Sequence, residues 1–507
     1  MKGNPALYAY LALALILTAV IAGFLPVLLI GIGEDLVPRD PYLLHVAGFT
    51  LVQAGLSTFL SVVLALPVAR ALARRDFAGR DLIVRLFTLP MALPAIVAIL
   101  GIVTIYGRQG WLGGGFSLYG LTGILLAHVF FNFPMAARMM LTGLAAIPPE
   151  SFRLAAQLGF RDRDLWRLVE WPQLRTALPG IVILIFLLCT ASFTVVLTLG
   201  GGPAATTLEV AIYQALRFDF DPPRAVGLAL VQLAICSALA LLTHYSGGGV
   251  VTWQKLRRKS VRFGGSTFAA LSIDGLALAI GLIIVLPPLV AVAASGVLHM
   301  SINGDLLAAT MTSLAIGIST AILSLILCWA LAQAAARSPQ WAKASGLVIL
   351  AGLIMPPAVL ATGWFILASK LSMFVLPAPL LVVAMSTLMA LPFAYTTLAP
   401  AVASAAQQND RLCAGLGLSG VTRFFIVDLP TVRKPLGLAF LMGTIVSLGD
   451  FTAITLFGSQ DLVTLPALIY RQMGSYRIGT AAGTAFILAL LTLGLVMLAE
   501  KWSTHDD

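Results

Sequence analysis

One loop is written twice in this chain. Pro134, Gly159 and Pro172 are spaced by 25 and 13 residues, and Pro392, Gly417 and Pro430 repeat both spacings 258 residues later. Around the central glycine the chain reads Arg-Leu-Ala-Ala-Gln-Leu-Gly from Arg153 and Arg-Leu-Cys-Ala-Gly-Leu-Gly from Arg411. Arg175 falls on Arg433 at the same offset. A fixed offset marks a duplicated structural unit. It restricts the chain to two similar halves. The repeated loop is polar, so two similar protrusions should leave one face of a pseudo-two-fold molecule.

The duplicated unit is built for lipid. Of 507 residues, 59% are hydrophobic and only 10% charged, which excludes a soluble globular protein and a disordered one. A helix crossing the hydrocarbon layer needs about 20 apolar residues. Such stretches run over 7–30, 50–72, 83–106, 118–143, 178–199, 224–243, 271–297, 308–333, 344–369, 379–402, 435–457 and 480–500. The 46 Gly and 27 Pro would break soluble helices but are tolerated in membrane spans. The expected fold is an all-α polytopic membrane protein with about twelve transmembrane helices.

Lysine and arginine give the orientation. With the N-terminus inside, 24 of the 31 Lys and Arg fall in cytoplasmic segments, among them both copies of the loop. That bias predicts cytoplasmic termini and cytoplasmic loops. The net charge of +10 follows from this topology and gives no argument for nucleic acid. The first stretch is too long for a signal peptide and lacks a convincing small-residue cleavage site, so it is expected to be a retained span.

Six spans per half return the chain to its starting side, so the halves are expected to be parallel repeats. The expected division is 1–245, a cytoplasmic linker at 246–266, and 267–507, with the repeated loops at about 144–175 and 403–433. The repeat extends beyond the loop. LPAIVA from Leu93 answers PPAVLA from Pro356, and TLEVAIYQAL from Thr207 answers TLPALIYRQM from Thr464. The linker, glycine-rich at both ends and basic at its centre, suits a flexible connection near anionic headgroups; regulation is a second reading.

Several residues are candidates for function. The loop residues Glu150, Arg153, Ala155, Ala156, Gly159 and Pro172, with Arg411, Cys413, Ala414, Gly417 and Pro430, are candidates for docking a partner. Their small side chains let another backbone approach. The plain reading, a helix ended by a C-cap glycine, suits one copy but does not explain two in one register. Asp450 is the one acid well inside a predicted span. It either lines a pathway or makes a structural hydrogen bond beside Gly449. His128 and Asn132, four apart on one helix face, either line the pathway or bond between helices. The outer segments Gly200–Leu216 and Gly458–Met473 read as short re-entrant helices forming an outer gate, or as interfacial helices with Tyr213 and Tyr470 at headgroup level. The isolated cysteines and scattered histidines form no metal or disulfide pattern, so no metal site and no bound cofactor are expected.

The doubled loop resembles the EAA-type loop of permeases of bacterial ATP-binding cassette importers, which docks on ATPase subunits. The family pattern begins Glu-Ala-Ala. Here Glu150 is followed by Ser151, with Ala155 and Ala156 further on, and Gln408 replaces the acid in the second copy. IYGRQGW from Ile105, YGLTGILLAHVFFNFPMAAR from Tyr119, VEWPQLR from Val169, LGGGPAATTLEVAIYQAL from Leu199, SLGDF from Ser447 and MGSYR from Met473 resemble the fused permeases of thiamine and thiamine-pyrophosphate importers. The likeness spans both halves. It implies a type I importer permease in the bacterial inner membrane, two separate ATPase subunits that use the ATP, and a periplasmic thiamine-binding protein. No GxxxxGK[ST] phosphate loop occurs in the chain, in keeping with a separate ATPase. The chain resembles ferric-iron permeases more distantly. From another class, an ion-coupled secondary transporter also has six plus six spans, but Asp450 alone is a poor titratable set for one. A polytopic membrane enzyme ranks last, because no nucleophile–base–acid group is present.

Overall fold

A computed structural model describes residues 5–33, 41–113, 117–245, 268–354, 356–370, 377–458 and 462–504. The basic linker at 246–266 lies outside them. The principal helices before the linker are α1 (Pro5–Gly33), α2 (Pro41–Arg74), α3 (Ala95–Tyr106), α4 (Leu121–Ala145), α5 (Trp171–Thr190), α6 (Phe193–Leu199), α7 (Leu208–Arg217) and α8 (Pro222–Tyr245). After it come α9 (Phe268–Leu298), α10 (Gly304–Ala335), α11 (Pro339–Ile354), α12 (Pro357–Lys370), α13 (Ala378–Gly415), α14 (Leu429–Gly449), α15 (Thr452–Phe457), α16 (Leu465–Gly474) and α17 (Ile478–Thr504). No strand occurs among the described residues. All twelve apolar stretches are helical. Nine described helices are long and apolar enough to cross a membrane, or ten with one bent pair. The predicted spans at 83–106, 178–199, 344–369 and 435–457 are interrupted helices.

The interruptions have chemical causes. In the bent pair, Arg80–Ala92 meets α3 at 108°. The break is Leu93–Pro94: the residue before a proline is pushed out of the helical region, and Leu93 sits at φ −83°, ψ 138°. The matching sequence in the second half carries Pro356 and Pro357, and there α11 stops and α12 begins. The repeated motif is thus a repeated break. A second pair of breaks follows Thr190 and Gly449, with Ser192 at ψ 93° and Asp450 at ψ 116° in corresponding places.

Each half is built on three mutually packed helices, α2–α4–α5 and α10–α13–α14. The first helix of each half crosses to the other. α1 packs on α12 and α10, while α9 packs on α3 and α2. Lipid gives two apolar helices no hydrophobic reason to associate, so close backbone approach has to hold them. Glycines provide it. A Cβ on Gly363 of α12 would run into the Gly23 carbonyl oxygen of α1, and one on Gly101 of α3 into the Pro288 carbonyl oxygen of α9. The Trp364 indole adds a hydrogen bond of 2.8 Å to the Ala19 carbonyl. Large apolar side chains such as Leu15, Phe59, Ile283 and Ile326 stay exposed on the outside, where lipid tails solvate them.

Gly363→Val should therefore force the crossed helices apart. Overpacking of this kind costs about 1–3 kcal/mol or more, so the midpoint of thermal unfolding in detergent should fall. Gly143→Ala, where a Cβ meets nothing within 4 Å, should leave it unchanged or slightly raised. Equal midpoints for the two variants would contradict the crossing as a point of close approach.

Candidate functional site

The two copies of the loop end in the same turn. Gly159 has φ +70° and Gly417 φ +67°. The amide of Gly159 donates to the Ala156 carbonyl at 3.2 Å and that of Phe160 to Ala155 at 3.0 Å. Gly417 donates to Ala414 at 3.2 Å and Leu418 to Cys413 at 2.9 Å. Both are Schellman motifs, in which a left-handed residue closes the helix and satisfies its last carbonyls. Glycine stands there because the backbone needs positive φ. A Cβ at either glycine would meet nothing within 4 Å, so both turns are open on the outside.

The helices leading into the turns differ. The first copy has a separate short helix, Pro149–Gln157, because Pro148 and Pro149 break the chain after α4. The second copy has Ala406 and Gln407 at those places, and α13 runs without a break for 38 residues to Gly415. The segment expected as a loop from 403 is thus helical to 415. The faces still match. Ala155 and Cys413 are buried, whereas Glu150, Arg153, Ala156, Arg411 and Ala414 are exposed. Beside them stand leucines not singled out by the sequence. Leu154 and Leu158 are 57% and 62% exposed, and Leu412 and Leu416 are 62% and 66% exposed. Each pair stands one helical turn apart. The same exposed apolar pair thus recurs at one offset in both halves.

Past each turn the geometry repeats again. π-Helical turns run over Trp166–Glu170 and Phe424–Asp428, and Pro172 and Pro430 stand in the first turn of the helices that follow. Each π-turn ends in a buried acid tied to arginine. Glu170 accepts from Arg70 at 2.7 Å and Arg74 at 3.2 Å, both on α2. Asp428 accepts from Arg423 at 3.3 Å. Arg423 also pairs with Asp410, which Arg337, just past α10, reaches at 3.0 Å. Partial burial disfavours the Arg423 charge, but Asp410 and Asp428 outweigh it and raise its pKa above the ordinary arginine value. Trp166 lies under the Arg70 guanidinium at 4.6 Å, and Phe424 meets Trp329 of α10 at 5.3 Å. Each turn is thereby fastened to the end of the second-span helix of its own half.

The predicted pathway residues separate. His128 Nδ1 lies 2.9 Å from the Ser57 hydroxyl of α2, and the Asn132 amide donates to Cys189 Sγ of α5 at 3.2 Å. Both therefore make interhelical bonds inside the first-half bundle. Asp450 Oδ1 accepts from the amides of Thr452 at 2.9 Å and Ala453 at 3.2 Å, and Oδ2 accepts from Ser386 at 2.9 Å. It caps α15, whose first amides have no partner within the helix.

The outer segments are short helices, α7 and α16. Each starts with an amide bonded to a hydroxyl of the second-span helix: Leu208 to Thr50 at 3.0 Å and Leu465 to Ser313 at 2.8 Å. Tyr213 and Tyr470 stack inward. Tyr213 meets Phe193 edge-on at 5.4 Å, and Tyr470 meets Phe451 at 5.1 Å. Phe193 and Phe451, corresponding residues of the two halves, face each other at 6.3 Å. Phe193 lies within a long apolar run and Phe451 ends the SLGDF run, and only their 258-residue separation links the two.

No family model matches the chain. It is 44% identical over 483 residues to the thiamine transport system permease protein ThiP of Brucella abortus, covering 91% of this chain and 88% of that protein. With ThiP of Salmonella typhimurium the identity is 41% over 513 residues, 97% of this chain and 95% of the relative. The chain belongs to the ThiP family of transport system permeases. Like them it is a multi-pass membrane protein. It is also 30% identical over 200 residues to the sulfate transport system permease protein CysW of Synechocystis, which is 38% of this chain but 72% of that protein. Less than half of this chain thus matches most of a shorter permease, in keeping with the internal duplication.

The cap assigned to Asp450 has a measurable consequence. Asparagine keeps an acceptor for the two amides and alanine does not. Losing such a cap costs about 0.5–2 kcal/mol. Asp450→Ala should lower thermal stability in detergent clearly, and Asp450→Asn by much less. An Asn variant as unstable as the Ala variant would mean that the charge, not the cap, is what matters.

Proposed function

We propose that this chain is the membrane-spanning subunit of an ATP-driven, binding-protein-dependent importer that carries thiamine, thiamine pyrophosphate or both across the bacterial inner membrane. The supporting observation is the pair of identical Schellman turns, each presenting two exposed leucines and each fastened to a membrane helix. Two ATPase subunits dock there, one per turn, and supply the hydrolysis; the chain itself is not an enzyme. A periplasmic thiamine-binding protein delivers the substrate to the opposite face. Both termini and the linker at 246–266 are cytoplasmic, and segments 1–245 and 267–507 act as the two permease halves. The substrate class follows from the names of the relatives, which match nearly the whole chain.

The anchors suggest how force is passed on. A push on Leu158 reaches the π-turn within a few residues, and Glu170 passes it to Arg70 and Arg74 at the end of α2. In the second half α13 carries the turn directly, and Asp410 and Asp428 link it through Arg423 to Arg337 beside α10. The outer helices α7 and α16, hydrogen-bonded to α2 and α10, move with them, so Tyr213 and Tyr470 form an outer gate coupled to the docking face. Asp450, the acid that an ion-coupled mechanism would use first, has both oxygens engaged, which favours the ATP-driven reading.

ATP-dependent uptake of labelled thiamine into proteoliposomes with the ATPase and the binding protein tests this. Truncating an interface hot spot costs about 2 kcal/mol or more, roughly thirtyfold in affinity. Leu158→Ala and Leu416→Ala should weaken ATPase association by about that factor and lower uptake, while the chain stays folded in the membrane. Normal association in both variants would remove the docking assignment.

A further inference from the structure

We infer that Phe193, Phe451, Tyr213 and Tyr470 form a stacking site on the transport path that recognises an aromatic cation. This rests on the thiamine reading above, in which that cation is the thiazolium ring.

Phe193 and Phe451 are corresponding residues, 258 apart, and their rings touch. Corresponding residues can contact each other only where the pseudo-two-fold axis passes between them. In transporters built from repeats, the substrate site lies at the interface between the repeats, beside broken helices. Here both conditions are met at one place. Phe193 opens α6 and Phe451 precedes α15, directly after the matched breaks at Ser192 and Asp450. Both rings are only 3% exposed. A solute moving along the axis has to part them and will lie against their faces.

The separation suits a flat ring. The centroids are 6.3 Å apart with the planes 37° from parallel. A planar ring between two others needs roughly 7–8 Å, twice the contact distance of about 3.5–4.0 Å between carbon atoms. Widening by about 1 Å, with some levelling of the planes, opens the slot. The walls are steadied from behind, by Tyr213 at 83° to Phe193 and by Tyr470 against Phe451. Aromatic faces carry negative potential and attract a cation placed over them. Thiazolium is both flat and cationic.

The test uses the complete complex with binding protein in proteoliposomes, measuring labelled thiamine uptake and ATPase activity stimulated by the loaded binding protein. Leucine keeps the bulk of phenylalanine without its π face. Phe193→Leu with Phe451→Leu should lower uptake about tenfold or more, equivalent to ~1.4 kcal/mol, while stimulated ATPase activity persists. Phe451→Tyr should stay within about twofold of wild type, as two aromatic walls remain. Wild-type uptake by the double leucine variant would overturn the inference and leave the thiamine reading standing. So would a tyrosine variant as poor as the leucine one, which would mean a packing role. A wild-type complex that hydrolyses ATP but takes up no thiamine would overturn the thiamine reading itself.

Discussion

A helix that stops inside a membrane frees backbone groups that lipid cannot satisfy, so protein has to cover them. The architecture follows from where this chain accepts that cost. It stops helices at four places in two matched pairs, before α3 and α12 and after α5 and α14. Each pair has its own chemistry. Prolines make the first, at Pro94 and at Pro356–Pro357. The second leaves Phe193 and Phe451 against each other. Across the halves, Gly449 lies in ordinary contact distance of Pro94, with its Cβ position 3.7 Å from the proline Cα, so one break covers another. Asp450 bonds two of the freed amides. Ser192, its counterpart, makes no such cap. The halves are therefore alike in backbone and unlike in chemistry at the axis.

The face that carries the repeated turns shows the same economy. The first copy reaches its turn through a proline-broken short helix, the second through one continuous helix. Both arrive at a left-handed glycine with the same two hydrogen bonds and the same exposed leucine pair. Two routes to one geometry indicate that the turn and its leucines are the constrained feature. The buried acids Glu170 and Asp428 then tie each turn to the membrane helices. A buried ion pair is weak evidence for stability, since desolvation offsets much of the attraction, but removing one partner is costly. That favours reading these pairs as devices that hold the turns in register.

Much of this was legible in the residues because spacing survives divergence. The loop repeat, the outer helices and the matched LPAIVA and PPAVLA segments were all readable as repeats, and the motif runs pointed to the permease family that the relatives confirm. What was not legible was orientation within an apolar background. An exposed leucine and a buried one look alike in sequence, so Leu154 and Leu412 passed unnoticed beside Ala155 and Cys413. Twenty-six phenylalanines hid the two that meet on the axis. Asp450 is legible as an acid within a predicted span, but its partners, two backbone amides of the next helix and the Ser386 hydroxyl, are not.

The central claim is that one chain supplies both docking turns and both walls of the path. Native mass spectrometry of the complex, purified from membrane with its ATPase and kept intact in detergent, tests this most directly. The account predicts one copy of this chain with two copies of the ATPase. Two copies of this chain with two ATPases would contradict it, since a single turn per chain would then suffice and the axis would run between chains.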